Sequence, residues 1–211
     1  PNMGLPQTEK KLPEVDGQVG YKSRIIGKCH LVIFISNHPM NRGFTSFFGH
    51  LGGGHKYFPE ELTIKDSYSF SDEPMSYKTW IMKDHTPIEI KNYLTDEFSD
   101  NAVSFIDKTQ KDPFFLFVSY NAPHTPLQAT EKYLSRFPKI TDKKRKTYAA
   151  MVSAVDDGVG HVLEAIKEKG LDENTIVVFL SDNGGAHNNA SDNGPLRGLK
   201  GDLFEGGIRV P

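Results

Sequence analysis

The chain has 211 residues, enough for one substantial hydrophobic core or for a core with a small appendage. Its 37% hydrophobic and 25% charged content is typical of a globular protein, and its formal net charge of −2 gives no reason to expect a nucleic acid or an anionic membrane as a partner. A single cysteine, Cys29, excludes an internal disulfide framework, and no apolar run approaches the length of a membrane span.

Both ends of the sequence suggest an internal piece of a longer protein. The sequence does not begin with a methionine, and residues 1–4 lack the charged start and apolar centre of a signal peptide. Residues 208–211 have the pattern of a strand that is just beginning. We therefore expect the parent protein to continue in both directions.

The first part of the chain predicts a helix, a strand and a long loop. Residues 7–20 have a weak helical pattern that ends at Gly20, and residues 21–26 read as a short strand. Residues 36–60 are rich in Gly, Asn, Pro and aromatic residues, which indicates an ordered loop. Residues 61–85 have a mixed pattern that allows a small hairpin.

The second part predicts two strong helices and two strands. Residues 92–109 have an amphipathic helical pattern with Thr95 as a possible cap, and residues 142–169 form the longest such pattern. Residues 114–120 and 174–180 are continuous apolar runs, as in buried parallel strands. Strands that alternate with long helices favour an α/β fold with a mostly parallel sheet between helices.

Polar side chains follow each of the three predicted strands. They are Lys28 and His30, then His124, then Asp182 and Asn183, with Lys200 in the glycine-rich loop beyond. Because the carboxyl ends of parallel strands share one edge of a sheet, these side chains are expected to meet in one pocket. Carboxylate and amide oxygens suit Ca²⁺ or Mg²⁺, and two lysines with two histidines suit a sulfate or phosphate group.

Each of these motifs alone has a plainer interpretation. Residues 182–185 read Asp-Asn-Gly-Gly, which is often only a turn. His124 lies between prolines and could simply fix a loop, while Lys28 and Lys200 could be surface lysines. Their joint occurrence after three successive strands favours a site. Cys29 is interpreted as a small buried apolar residue.

Five stretches occur in an order that resembles a known family. They are residues 27–31, 38–44, 121–127, 181–185 and 198–211. In this order the chain resembles an internal segment of a type I sulfatase, the arylsulfatase-like branch of the alkaline phosphatase superfamily. The resemblance implies an alkaline phosphatase-like sheet sandwiched by helices and incomplete at both ends. Residues 1–211 would be part of a single sulfatase catalytic domain, without its N-terminal nucleophile segment and its C-terminal continuation.

The resemblance implies hydrolysis of aryl or carbohydrate sulfate esters by a Ca²⁺-dependent enzyme, with Mg²⁺ as the less favoured ion. The family's nucleophile is a hydrated formylglycine made from cysteine in a Cys-x-Pro-Ser/Ala-Arg motif, and two further metal-binding aspartates lie near the amino terminus. Cys29 lacks the proline and arginine of that motif. The nucleophile is therefore expected upstream, and these 211 residues alone would be inactive.

The resemblance also implies a role for each candidate residue. Asp182 and Asn183 would be ligands of the metal ion. Lys28 and Lys200 would contact the sulfate oxygens and the oxygen of the nucleophile, which offsets charge as the S–O bond breaks.

The two histidines would handle protons. His124 would hydrogen-bond the sulfate and protonate the departing alkoxide or phenoxide, while His30 would hold the nucleophile's hydroxyl group and act as a base. The chain has Cys29 and Val32 where family members usually have tryptophan and glycine, and these changes could alter the packing behind Lys28 and His30.

The implied partners are a small-molecule or saccharide sulfate ester and, for the full-length protein, a formylglycine-generating or equivalent maturation enzyme. The implied compartment is secreted, periplasmic or lysosomal. Two alternatives stay open: a phosphodiesterase or phosphonate hydrolase of the same superfamily, and a non-catalytic anion-binding relative.

Overall fold

The computed structural model describes residue 6 and residues 8–30, 37–73, 76–109 and 111–211. Gln7, Leu31 and Val32, which entered the predictions from sequence, lie outside this part of the chain. The described residues form one five-stranded sheet, two long helices and several short helical segments.

The sheet has a parallel centre and an antiparallel hairpin at one side. Its strands are β1 (Lys22–Lys28), β2 (Ser46–His50), β3 (Ile81–Lys83), β4 (Thr86–Ile88) and β5 (Phe114–Ser119). Their order across the sheet is β4-β3-β2-β1-β5. β1 pairs in parallel with both β2 and β5, whereas β3 is antiparallel to both β2 and β4.

The α-helices are α1 (Leu12–Asp16), α2 (Leu94–Thr109), α3 (Glu131–Leu134), α4 (Lys143–Glu168) and α5 (Glu205–Ile208). Short 3₁₀ segments occur at Gly17–Val19, Pro39–Arg42, Pro59–Glu61, Ile64–Asp66 and Asp172–Asn174. Asp142 caps α4, because its carboxylate accepts a hydrogen bond of 2.7 Å from the Arg145 N–H. Among the described helices, none has both the length and the apolar character required to cross a bilayer.

The core lies on both faces of the sheet, since alternate residues of a strand point to opposite sides. Ile26 and Phe48 are buried on the face that α2 and α4 cover. Ile25 and Phe47 are buried on the other face, where Cys29 joins them as a small apolar core residue, as predicted. The central strands are therefore fixed from both sides.

The α/β architecture predicted from sequence is confirmed, and so are β1, β5, α2 and α4. The parallel part of the sheet is limited to three strands, because the β3–β4 hairpin is antiparallel. Sequence reasoning placed no strand in residues 36–60, but β2 lies there. Its Gly-containing sequence hides the strand pattern, because β-propensity scales rank glycine low.

Three further predictions need correction. Within residues 7–20 the α-helix spans only Leu12–Asp16, and one 3₁₀ turn extends it to Val19. The hairpin occupies residues 81–88 and not 61–85 as a whole. Thr95 does not cap α2, because the helix begins at Leu94 and Glu97 accepts hydrogen bonds from the backbone N–H groups before it.

The predicted third strand is also wrong for the described part of the chain. Asp172–Asn174 is a 3₁₀ turn, and residues 175–180 belong to no strand. Their apolar side chains are exposed, to 93% at Ile176. The run has the composition of a buried strand, but such a strand forms only beside a hydrogen-bonded neighbour. None of the described residues supplies one.

Gly27 is a position in the sheet that does not tolerate a side chain. Its φ is +108°, and an added Cβ would lie 2.0 Å from the carbonyl oxygen of Ser119 on β5. We expect Gly27→Ala to lower the free energy of unfolding by about 2–4 kcal/mol. Gly17→Ala is the matched control, because Gly17 has a φ of −58° and open space around it.

Chemical denaturation of the two variants measures the difference. The Gly17→Ala protein should stay within about 1 kcal/mol of the wild type, on the stabilising side. Equal denaturation midpoints for the two variants would contradict this account of β1.

Candidate active site

Lys28 ends β1 at the carboxyl edge of the parallel strands. It lies opposite His50 of β2, and the Cys29 N–H donates a hydrogen bond of 2.9 Å to the His50 carbonyl oxygen. Lys28 is half-buried, and this burial lowers the pKa of its ammonium group. Asp182 opposes the shift, and the positive charge of Lys200 adds to it.

His124 lies in the turn that follows β5. Its Nδ1 is 2.7 Å from the Thr125 carbonyl oxygen, and Tyr57 O–H donates a hydrogen bond of 2.8 Å to the His124 carbonyl oxygen. In the neutral ring Nδ1 then carries the proton, which leaves Nε2 available to a ligand. Burial lowers the pKa of the ring, and Lys28 and Lys200 lower it further.

Local hydrogen bonds fix the turn that contains Asp182 and Asn183. The Ser181 hydroxyl donates to the Asn183 carbonyl oxygen at 2.8 Å, and Asn183 Nδ2 donates to the Gly184 carbonyl oxygen at 2.9 Å. Lys200 is tied to the same turn, because its N–H donates to the Gly185 carbonyl oxygen at 2.8 Å. The turn of Asp182 and the loop of Lys200 therefore form one unit.

Asn193 joins the two halves of this unit, a role that sequence reasoning missed. Its Oδ1 accepts from the Gly185 N–H at 2.8 Å, and its Nδ2 donates to the Gly198 carbonyl oxygen at 3.0 Å. An Asn-Gly pair is a common turn signal, and nothing in the sequence distinguishes a turn asparagine from one that bridges two loops.

Electrostatic effects link most of the predicted site residues. Burial lowers the pKa of His30; Lys28, Lys200 and His124 all lower it further, and Asp182 opposes them. The same lysines and Asp182 act on His124. Five of the six predicted side chains therefore share one electrostatic neighbourhood, and Asn183 is the chain neighbour of Asp182. Two lysines against one carboxylate give a surplus of positive charge, and the two histidines add hydrogen-bonding groups, which together suit an oxyanion.

Asp182 and Asn183 fit part of a hard-cation site. The Asn183 Nδ2 is engaged with Gly184, so its amide oxygen is the atom available to a metal, next to a carboxylate. Ca²⁺ takes about six to eight oxygen ligands. In residues 6, 8–30, 37–73, 76–109 and 111–211 there is no group of three or more His, Cys, Asp or Glu side chains that could hold a metal. These two residues suit a calcium ion but do not complete its coordination.

Two buried histidines, His50 and His55, lie close to the cluster. The rings of His50 and His55 have centroids 4.6 Å apart, and the His50 ring also stacks on Phe98 at 6.5 Å. Burial lowers the pKa of His50 well below its usual value, and His55 and Lys28 add to the shift. His50 is therefore neutral at physiological pH and adds no charge beneath Lys28.

A groove between α2 and α4 is a separate concave feature of the described surface. Asp100, Asp107, Glu164 and Glu168 line it, together with His161 and Lys108. It contains none of the cluster residues. Because its carboxylates would repel an anion, this groove does not compete as an oxyanion site.

Comparison with known proteins gives a consistent result along the whole chain. The sequence model of the Sulfatase family matches residues 2–211. Arylsulfatase J of Mus musculus is 34% identical over 216 residues, and N-acetylgalactosamine-6-sulfatase of Rattus norvegicus is 32% identical over 225 residues. The crystal structure of Ps i-CgsB in complex with k-i-k-neocarrahexaose superposes with a TM-score of 0.91 at 41% identity.

The matches cover nearly all of this chain but only part of each relative. The chain aligns over 98% and 99% of its own length with the two curated relatives, and it spans 34% and 40% of theirs. It aligns over its full length with Ps i-CgsB and spans 48% of that chain.

The burial of His50 predicts that the fold loses stability in acid. The unfolded chain binds a proton on His50 as the pH falls below about 6.5, whereas the folded chain resists protonation there. Stability associated with His50 is thus present above pH 6.5 and is lost as the pH falls towards its lowered folded pKa. We expect His50→Phe, which keeps the stack on Phe98, to lose less free energy of unfolding between pH 7 and pH 5 than the wild type.

Denaturation curves at the two pH values measure this difference. His161→Phe, at an exposed position on α4, is the control and should show the acid sensitivity of the wild type. Parallel losses in the wild type and His50→Phe would show that His50 does not contribute.

Proposed function

Because the chain belongs to the sulfatase family, we propose that it forms part of an enzyme that hydrolyses sulfate esters. The observation that carries this proposal is that Lys28 and Lys200 both act electrostatically on His30 and His124. Such a cluster stabilises a group whose negative charge is spread over several oxygens, both in the bound ester and as the S–O bond breaks.

Each side chain has a role that follows from its chemistry. Lys28 and Lys200 hold the sulfate oxygens through charge-assisted hydrogen bonds. His124 presents Nε2 to the leaving oxygen and, when protonated, donates its proton there. The Thr125 carbonyl oxygen on Nδ1 and the Tyr57 hydroxyl on the His124 backbone keep the ring in place for this transfer. His30 is the base that takes a proton from the nucleophile's hydroxyl group.

Two groups would complete the site. A Ca²⁺ ion held by Asp182 and Asn183, with Mg²⁺ as the less favoured ion, would supply positive charge next to the sulfate. A formylglycine outside this chain would supply the nucleophile, since Cys29 is buried and its sequence context does not match the motif. We propose that residues 1–211 are part of one catalytic domain. Their coverage of 34–48% of the relatives supports this.

A sulfated saccharide is the substrate class that we favour. Ps i-CgsB, which is 41% identical, was crystallised with a neocarrahexaose, and N-acetylgalactosamine-6-sulfatase is named for a sugar sulfate. A secreted, periplasmic or lysosomal compartment, and maturation by a formylglycine-generating enzyme, complete the proposal. Faster turnover of a phosphate diester than of any sulfate ester would contradict it.

Removal of the Asp182 carboxylate tests the metal assignment in the complete protein. Loss of hydrogen-bonding partners around metal ligands lowers affinity by about 10–100-fold, so loss of a ligand itself should exceed about a hundredfold. We expect Asp182→Ala to lose Ca²⁺ affinity by at least that factor and nearly all sulfatase activity. Calorimetric titration with Ca²⁺ measures the first effect independently of turnover.

Asp192→Ala is the matched control, because Asp192 is exposed in the neighbouring loop and accepts a hydrogen bond from the Gly194 N–H at 2.8 Å. It should bind Ca²⁺ like the wild type. Wild-type affinity in Asp182→Ala would refute the assignment.

His124→Ala tests the proton donor through the leaving group. A sugar alkoxide needs a proton as it departs, whereas 4-nitrophenolate leaves readily without one. We expect kcat for a saccharide sulfate to fall by about 10²–10⁴, and kcat for 4-nitrophenyl sulfate to fall much less. His161→Ala, on the exposed face of α4, should change neither rate. Equal losses on both substrates would argue against proton donation by His124.

A further inference from the structure

A short segment packs against both histidines of the candidate site, and we call residues 53–57 the wall segment. Gly53 lies against His30, so that an added Cβ would be 2.6 Å from the His30 Nε2. Gly54 lies against Tyr77 in the same way, with an added Cβ 2.2 Å from the Tyr77 Cε1. Two successive glycines therefore let both rings rest directly on the backbone.

Tyr77 also reaches the second histidine. Its ring centroid is 6.2 Å from that of His124, with an angle of 35° between the ring planes. The side chain is 40% exposed, although one side of it packs on Gly54. An aromatic ring is thus held open to solvent next to the group that we assign as proton donor.

Several contacts fix the backbone that carries this ring. The Lys56 N–H donates to the Tyr77 carbonyl oxygen at 3.3 Å. The buried His55 Nε2 lies 2.6 Å from the Thr79 carbonyl oxygen, which secures the same segment two residues further on. Tyr57 of the wall segment bonds the His124 backbone. One segment therefore sets the distance between Tyr77 and His124, and a binding surface that is fixed in advance loses little entropy when it is occupied.

The surroundings of Tyr77 are suited to a sugar. Lys78 follows it in the chain, and Lys56 and Glu61 form an ion pair of 3.1 Å whose side chains are partly exposed. Lys78 acts on Glu61 electrostatically, so the three charged groups lie together. A pyranose ring has a C–H face that packs on an aromatic ring and hydroxyl groups that bond to such polar side chains. A phenyl ring would leave those polar side chains without new partners.

We propose that Tyr77 is the stacking platform for the pyranose ring that carries the sulfate group, a role that rests on the proposed function. His124 lies beside this ring, and Lys28 and Lys200 act electrostatically on His124. A sugar on Tyr77 therefore has its ester oxygen near the proton donor and its sulfate in the positive cluster. Tyr77 selects saccharide sulfates by the ring, whereas Lys28 and Lys200 recognise the sulfate group alone.

The test compares binding of a ring-bearing ligand with binding of sulfate itself. Neocarrahexaose and inorganic sulfate are titrated by calorimetry into the complete wild-type protein, Tyr77→Ala and Tyr77→Phe. We expect Tyr77→Ala to raise the dissociation constant of the hexasaccharide by roughly tenfold and to leave that of sulfate unchanged. Tyr77→Phe keeps the ring and should stay within about twofold of the wild type.

Tyr21→Ala is the matched control, because Tyr21 is 37% exposed and precedes β1 at the opposite edge of the sheet. It should bind both ligands like the wild type. Three results would overturn the proposal: no hexasaccharide binding by the wild type, unchanged binding by Tyr77→Ala, or equal weakening of both ligands. Failure of the hydrolase proposal is separate, since it would appear as absent turnover by the wild type.

Discussion

Parallel pairing of β1 with β2 on one side and β5 on the other is the constraint on which the candidate site depends. The register places Lys28 opposite His50 and Gly27 opposite Ser119. Three chain segments therefore end together at one edge, and the residues that follow them have to share the space beyond. The close approach of β5 to Gly27 requires glycine there, so the geometry of the site begins inside the sheet.

Charge at this edge is as important as position. Burial lowers the pKa of Lys28, His30 and His124, and in each case at least one neighbouring cation lowers it further. The positive groups of this cluster therefore repel one another, and Asp182 opposes the shift in each case. A multiply oxygenated anion relieves this repulsion, which makes binding favourable in a partly desolvated space. His50 is neutral, so it does not add to this repulsion.

Sequence reasoning found the parts of this arrangement that have a local signal. The apolar run of β5 and the helical period of α4 could both be recognised, because burial imposes a period on the sequence. β2 was hidden by its glycine, and the platform formed by Tyr77 has no signal of its own. It depends on contacts between residues 53–57 and residues 77–79, which are distant in the chain.

The two halves of the site, Lys28 with His124 and the turn of Asp182, are held in place in different ways. Lys28 and the turn of His124 are attached to paired strands. The turn of Asp182 follows a run that belongs to no described strand, and hydrogen bonds to the later loops hold it, such as that from the Gly184 N–H to the Gly207 carbonyl oxygen at 3.0 Å. A ligand that bridges Asp182 to the lysines would connect the two halves, so occupancy and local order at this edge are thermodynamically linked.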